Sequence, residues 1–165
     1  MPVTYDSLAT TTLTGTQASI TFSSISAAYT DLKIVLVGTT TASVVPALRF
    51  NGDTASNYSN TSMAGNGSSA SSGRNSSTTE LFITDSTTTS TTIPTMISID
   101  VFNYTVATNK TCISANAGDK NGSGTVERSV GLWRNTAVIN SIELRARSST
   151  WAVGTTATLY GILRA

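Results

Sequence analysis

The sequence predicts one all-β domain, an antiparallel β-sandwich of jelly-roll type, and three observations carry that prediction. Ser and Thr number 24 and 31, a third of the 165 residues, while charged side chains make up 12% and aromatics 7%. Thr, Val and Ile are stiff at χ1 and fit a pleated surface, and Ser, Thr and Asn draw backbone hydrogen bonds away from helices. Apolar and polar residues alternate in short runs separated by Gly, Asn and Ser, and helical periodicity is absent. Neither a βαβ spacing nor a fixed repeat occurs, which argues against a parallel sheet and a β-solenoid. With 39% hydrophobic residues, a mean hydropathy of +0.05 and a net charge of +1, the composition is that of a folded chain rather than a disordered one.

Residues 1–6 carry no core pattern and are expected to form an N-terminal arm that docks on a neighbour. Strands are expected over 7–13, stopped by Gly15, and over 18–22, where Ala18, Ile20 and Phe22 face the core. Residues 25–31 allow no more than a helical turn. The run 32–37 reads as a central strand, apolar on both faces. The next strand, 45–50, has Pro46 near its start, and Asn51-Gly52-Asp53 is a strong turn signal. From 54 to 77 the chain is Ser, Asn, Gly, Thr and Ala with few apolar residues, so a long surface loop, functional or disordered, is expected. Strands follow at 80–84, 96–104 and 111–115, with a Ser/Thr connector at 85–92 and a turn at 107–109. A turn at 118–124 leads into 126–133, and 138–147 and 157–163 complete the sheets. In 138–147, Ile142, Leu144 and Ala146 should face inward and Glu143, Arg145 and Arg147 outward.

The chain has no histidine, which removes Ser-His-Asp and Cys-His nucleophiles and His-ligated zinc; no enzymatic role, cofactor or metal is expected. Its nine carboxylates, which a glycosidase would need as a pair, are scattered and mostly flank turns or point off strands. Residues 119–123 place oxygens at alternate positions but lack the closing glutamate of a calcium loop, so they read as a turn. Cys112 is the single cysteine; an internal disulfide is impossible, and its strand-like setting suits a small buried hydrophobe. The seven Asn-X-Ser/Thr sequons, Asn57, Asn60 and Asn66 among them, follow from the Ser/Thr content and carry little information. A net charge near zero gives no attraction to nucleic acid or an anionic membrane. No apolar run approaches the ~20 residues that span a bilayer, and the first residues lack the pattern of an export signal.

Trp133, in the apolar run 130–133, is expected in the core, and Trp151, in the loop 148–152, as an interface anchor. Tyr58, Tyr104 and Tyr160 join the two tryptophans as candidates for a sugar-stacking surface. Arg49, Arg74, Arg128, Arg134 and Arg147 are candidates for inter-subunit ion pairs, weighed against ordinary surface charge. The candidate interface set is therefore Trp151, Arg49, Arg74, Arg134 and Tyr58.

Several phrases together resemble one family. They are Ile20-Thr21-Phe22-Ser23-Ser24-Ile25 with Tyr29-Thr30-Asp31-Leu32, Leu48-Arg49-Phe50-Asn51-Gly52-Asp53-Thr54 with Ser56-Asn57-Tyr58-Ser59, Gly131-Leu132-Trp133-Arg134-Asn135-Thr136-Ala137, and Leu159-Tyr160-Gly161-Ile162. The likeness is to short virion structural proteins of tailed phages, notably of aquatic and cyanobacterial hosts, labelled decoration, tail or fibre proteins. It implies a jelly-roll-like module that assembles as an oligomer, commonly a trimer, and it brings no catalytic motif. The expected role is a capsid decoration (cement) protein of the virion. Its partners would be copies of itself and the major capsid protein or other virion proteins, with no nucleic acid or membrane. The alternative is a tail-fibre or receptor-binding module for host surface glycan, with residues 54–77 and Trp151 as contacts. Size, with Met1 at the start and no coiled-coil or shaft-like segment, favours the first. A glycan hydrolase is the third reading.

Overall fold

The computed structural model describes residues 5–85 and 88–163. The elements, in chain order, are β1 (Tyr5–Thr12), β2 (Ser19–Phe22), β3 (Asp31–Gly38), β4 (Ala47–Phe50), β5 (Tyr58–Gly65) and β6 (Ala70–Thr78), then β7 (Leu81–Phe82), β8 (Thr95–Phe102), β9 (Lys110–Gly118), β10 (Thr125–Trp133), β11 (Ile142–Arg145) and β12 (Thr156–Ile162). They form an eight-stranded sheet in the order β1-β12-β3-β8-β9-β10-β5-β6 and a four-stranded sheet in the order β2-β11-β4-β7, all pairs antiparallel.

Setting aside the hairpins β5–β6 and β9–β10 leaves β1-β12-β3-β8 facing β2-β11-β4-β7. The chain then crosses between sheets at every step except β4 to β7, which is the strand order of a jelly roll built from two Greek keys. Both added hairpins extend the same end of the larger sheet, beyond β8.

The core is the alternating inward set: Leu32, Ile34 and Leu36 of β3, Ile97, Ile99 and Val101 of β8, and Leu159 of β12, packed against Ile20, Phe22, Leu48, Phe50, Ile142 and Leu144. Each such side chain contributes ~1.5–3 kcal/mol by leaving water. Toward the added hairpins, Trp133 stacks on Tyr58 at 6.3 Å and lies 5.4 Å from Phe50. The turn expected at Asn51-Gly52-Asp53 is present, with φ of 52° and 66° at Asn51 and Gly52. Asp53 then accepts hydrogen bonds from the Ala55 amide, Asn57 Nδ2 and Trp133 Nε1, the last at 2.7 Å, tying the turn to β10.

Three expectations need correction. The arm at 1–6 is not free of the sheet where it is described: Tyr5 and Asp6 pair with Ile162 and Gly161 in β1, and residues 1–4 lie outside the described residues. An edge strand largely exposed to solvent needs no core pattern. The run 32–37 is central, between β12 and β8, but buried on one face only; Val35 is half-buried and Val37 exposed. The long loop at 54–77 is mostly the hairpin β5–β6, with a tip at 66–69 where Asn66 Oδ1 accepts the amides of Ser68 and Ser69. Its strands lack a hydrophobic alternation because their inward residues include Asn60 and Ser62.

Those inward residues are polar because of what covers them. The smaller sheet ends at the two-residue strand β7, so the added hairpins are roofed by a connecting segment instead of a sheet. A connector carries backbone and side-chain polar groups that need partners when buried. Ser114 Oγ donates to the Ile83 carbonyl, the Asp85 amide donates to Glu127, and the Asp85 carboxylate accepts from Asn75 Nδ2 and Ser62 Oγ.

Candidate functional site

The added hairpins are inverted relative to an ordinary half-buried sheet. On β10, Glu127, Ser129, Gly131 and Trp133 face inward, while Val126, Arg128, Val130 and Leu132 face out. On β9, Asn116 and Ser114 face inward and Ile113, Ala115 and Ala117 outward; on β5, Asn60 and Ser62 face inward and Met63 outward. The side-chain amides of Asn60 and Asn116 are buried without a protein partner among the described residues.

The outer face of the larger sheet is correspondingly apolar. Of nine large exposed hydrophobic side chains among the described residues, six lie here: Tyr5 on the edge strand β1, and Val37, Met63, Met96, Val126 and Val130. The strand register assembles the last five. Val37, Met96, Ala117 and Val126 form one cross-strand row, and Val35, Ser98, Ala115, Arg128 and Met63 form the next. A third row runs Lys33, Asp100, Ile113, Val130, Thr61 and Arg74, with Lys33 and Asp100 paired at 2.7 Å. Contiguous apolar surface of this kind marks a contact surface more often than scattered single residues do.

A groove of about 400 Å³ opens on this face, with Val130, Leu132 and Gly131 below and Ser59, Thr61, Arg74 and Arg134 around it. Arg74 has no ion pair or hydrogen bond among the described residues, and neither has Arg128. Arg134 donates to Ser56 O at 2.7 Å and Ser59 Oγ at 3.3 Å, both uncharged.

The expected site residues part company here. Arg74 and Arg134 meet at the groove, and Arg128 joins their face through the β5–β10 pairing. Trp151 is not an interface anchor: it is 0% exposed, bridges Gln17 and Thr40, and donates from Nε1 to the Leu144 carbonyl. Its loop is clamped between β-bridges on both sides, which a local reading of 148–152 does not show. Tyr58 is likewise buried, its hydroxyl donating to the Phe50 and Asp53 carbonyls and burial pushing its pKa up to about 12. Arg49 lies on the other sheet, where Glu80 gathers Arg49, Arg145 and Arg147 at 3.5, 3.1 and 2.8 Å. Arg147 also stacks on Phe82 at 4.4 Å, so this cluster is a clamp within the chain.

Of the remaining aromatics, Trp133 and Tyr104 are core residues, as is Cys112, whose thiol burial pushes up to about 12. Lys110 is almost wholly buried, and its ammonium donates to the carbonyls of Val106, Thr108 and Thr136; desolvation lowers its pKa. Residues 119–123 form a turn in which Asp119 accepts the Gly122 amide. Met63, Val126 and Val130 were not singled out from the sequence. The available signal was the strand parity of 126–133, which puts Val126, Arg128, Val130 and Leu132 together on one face.

Comparison with family models, curated proteins and solved structures found no match to this chain.

Proposed function

We propose that this chain is a non-enzymatic structural protein of a bacteriophage particle, a decoration protein that docks on the outer head shell. The phage assignment rests on the sequence phrases given above. The docking role rests on one structural observation: the added hairpins bury Glu127, Asn116 and Ser129 while exposing Val126, Val130 and Met63. Exposure of apolar groups has a free-energy cost that a partner relieves by covering them. Self-association, in threes as the resemblance implies, belongs to the same reading. Purified protein mixed with empty heads and, separately, with host envelopes tests it. Retention on heads supports decoration; retention on envelopes alone contradicts it.

The second reading, a receptor-binding module for host glycan, is favoured by the groove between Arg74 and Arg134, which offers cations and hydroxyls to an acidic sugar. No aromatic ring lines that groove, and Trp151 and Tyr58 are buried, so the stacking surface a pyranose uses is missing there. Decoration is therefore the stronger reading.

A further inference from the structure

The charges of this chain are distributed unevenly. Each of its nine carboxylates is engaged within the chain. Asp6 accepts from the Tyr29 hydroxyl, Asp31 from the Asn103 amide, Asp53 from Trp133, and Asp85 from Asn75. Asp119 accepts from the Gly122 amide and Glu127 from the Asp85 amide, while Asp100, Glu80 and Glu143 are in ion pairs. The cations without an acid partner include Arg74, Arg128 and Arg134, and all three belong to the outer face of the added hairpins. No carboxylate shares the outward positions of β9, β10, β5 and β6. A net charge of +1 thus conceals a face on which Arg128 stands among apolar side chains and Arg74 and Arg134 lie toward the edges, with no acid at the neighbouring outward positions.

We propose that this face docks on an acidic protein surface, a patch carrying carboxylates interspersed with apolar groups; under the reading of the previous subsection, that surface belongs to the head shell. Two arguments choose this occupant. A second copy placed face to face would bring arginine toward arginine, and among the described residues the outward positions of these four strands hold no carboxylate to offer in return. Like charges across an interface exclude partners as effectively as opposite charges select them. A polysaccharide would find no aromatic platform in the groove, whereas exposed arginine, methionine and valine side by side suit a protein contact. Hydroxyls of Ser59 and Thr61 lie beside Arg74 and Arg134, and apolar side chains beside Arg128, so no acid on these strands competes for the arginines.

The size of the face fits a repeated contact. Four strands ~4.8 Å apart, each about eight residues at ~3.4 Å, give a face of about 500 Å². That is below the ~800 Å² per partner of a standard stable interface. One copy would bind weakly; copies held in an oligomer on a lattice would bind firmly through avidity. Arg74 and Arg128 stand two strands and one two-residue step apart, about 12 Å between Cα atoms by the same spacings, so they reach separate carboxylates.

The test uses the whole protein and heads assembled without it, with sodium alginate and duplex DNA as competing probes. The triple variant R74E/R128E/R134E should fold with an unchanged thermal midpoint and lose at least tenfold in affinity for heads. Binding of the unaltered protein should fall steeply as NaCl is raised. If the reversal does not fold, R74A/R128A/R134A serves, with at least a threefold loss expected. A folded variant that binds heads as the parent does overturns this face while leaving decoration intact. Failure of the parent to bind heads overturns decoration itself. Arginine-dependent binding to alginate or DNA, tighter than to heads, overturns the protein partner.

Discussion

Val126 and Glu127 are consecutive residues of β10 with opposite fates: the valine is 68% exposed and the carboxylate 1% exposed, held by the Asp85 amide. A lone domain gains by the reverse arrangement, since burying a carboxylate costs several kcal/mol unless it is hydrogen-bonded. The inversion is sustained because a polar connector covers the inner face of the added hairpins, and it leaves the outer face apolar.

The first prediction follows from that exposure. The triple substitution M63S/V126S/V130S removes no internal contact of consequence, so unfolding free energy should change by no more than about 0.5 kcal/mol per site. Hydrophobic dye binding and adhesion to heads should both fall. A large loss of stability, measured by urea titration, would show that these side chains belong to the folded core.

Glu127→Ala should behave in the opposite way. It strands the Asp85 amide under the connector, at a cost of about 1–3 kcal/mol. Hydrogen exchange should show accelerated opening near residue 85 with the jelly-roll strands β3 and β8 still protected.

Trp151→Ala should destabilise the domain by about 3–5 kcal/mol, because a fully buried indole leaves a large cavity. Calorimetry should record a much lower thermal midpoint. Near-native stability together with loss of assembly would restore Trp151 to the surface role its sequence setting suggests.

Stability should decline in alkali. Tyr58 and Cys112 have folded pKa values raised to about 12, from 10.0 and 9.0, and burial is the largest cause in each. A raised folded pKa means the folded state holds its proton longer than the unfolded state. The stabilising contribution is thus intact below the unfolded pKa and is lost as pH climbs from 9 toward 12. Urea midpoints should be flat from pH 7 to 8.5 and fall above it. Tyr58→Phe, though costing about 1 kcal/mol at neutral pH through its lost hydrogen bonds, should shallow the alkaline slope. An unchanged slope would place the titration elsewhere.

Most of the sandwich was legible in the sequence wherever apolar residues meet an apolar sheet. Ile20 and Phe22, or Ile142 and Leu144, alternate because each faces the other sheet, and the pattern reports it. The hairpin β5–β6 was not legible, because alternation disappears when the inward residues are Asn60 and Ser62. The same cause hid the outer face: 32–37 looked buried on both sides because its outward valines match its inward leucines and isoleucine. Arg74 and Arg134 could be named from the sequence as contact candidates. Their meeting at one groove depends on β10 pairing with β5, strands nearly seventy residues apart along the chain. Trp151 failed for the converse reason, since the bridges to Gln17 and Thr40 that bury it are distant in sequence.

The most direct test of the proposed decoration role is an electron cryomicroscopy reconstruction of the phage particle to which the proposal assigns this chain. A decoration protein docked as proposed gives regular density for this jelly roll on the head lattice, with β9, β10, β5 and β6 turned toward the shell. Density confined to the tail, or a jelly roll on the head whose added hairpins face solvent, would contradict the proposal.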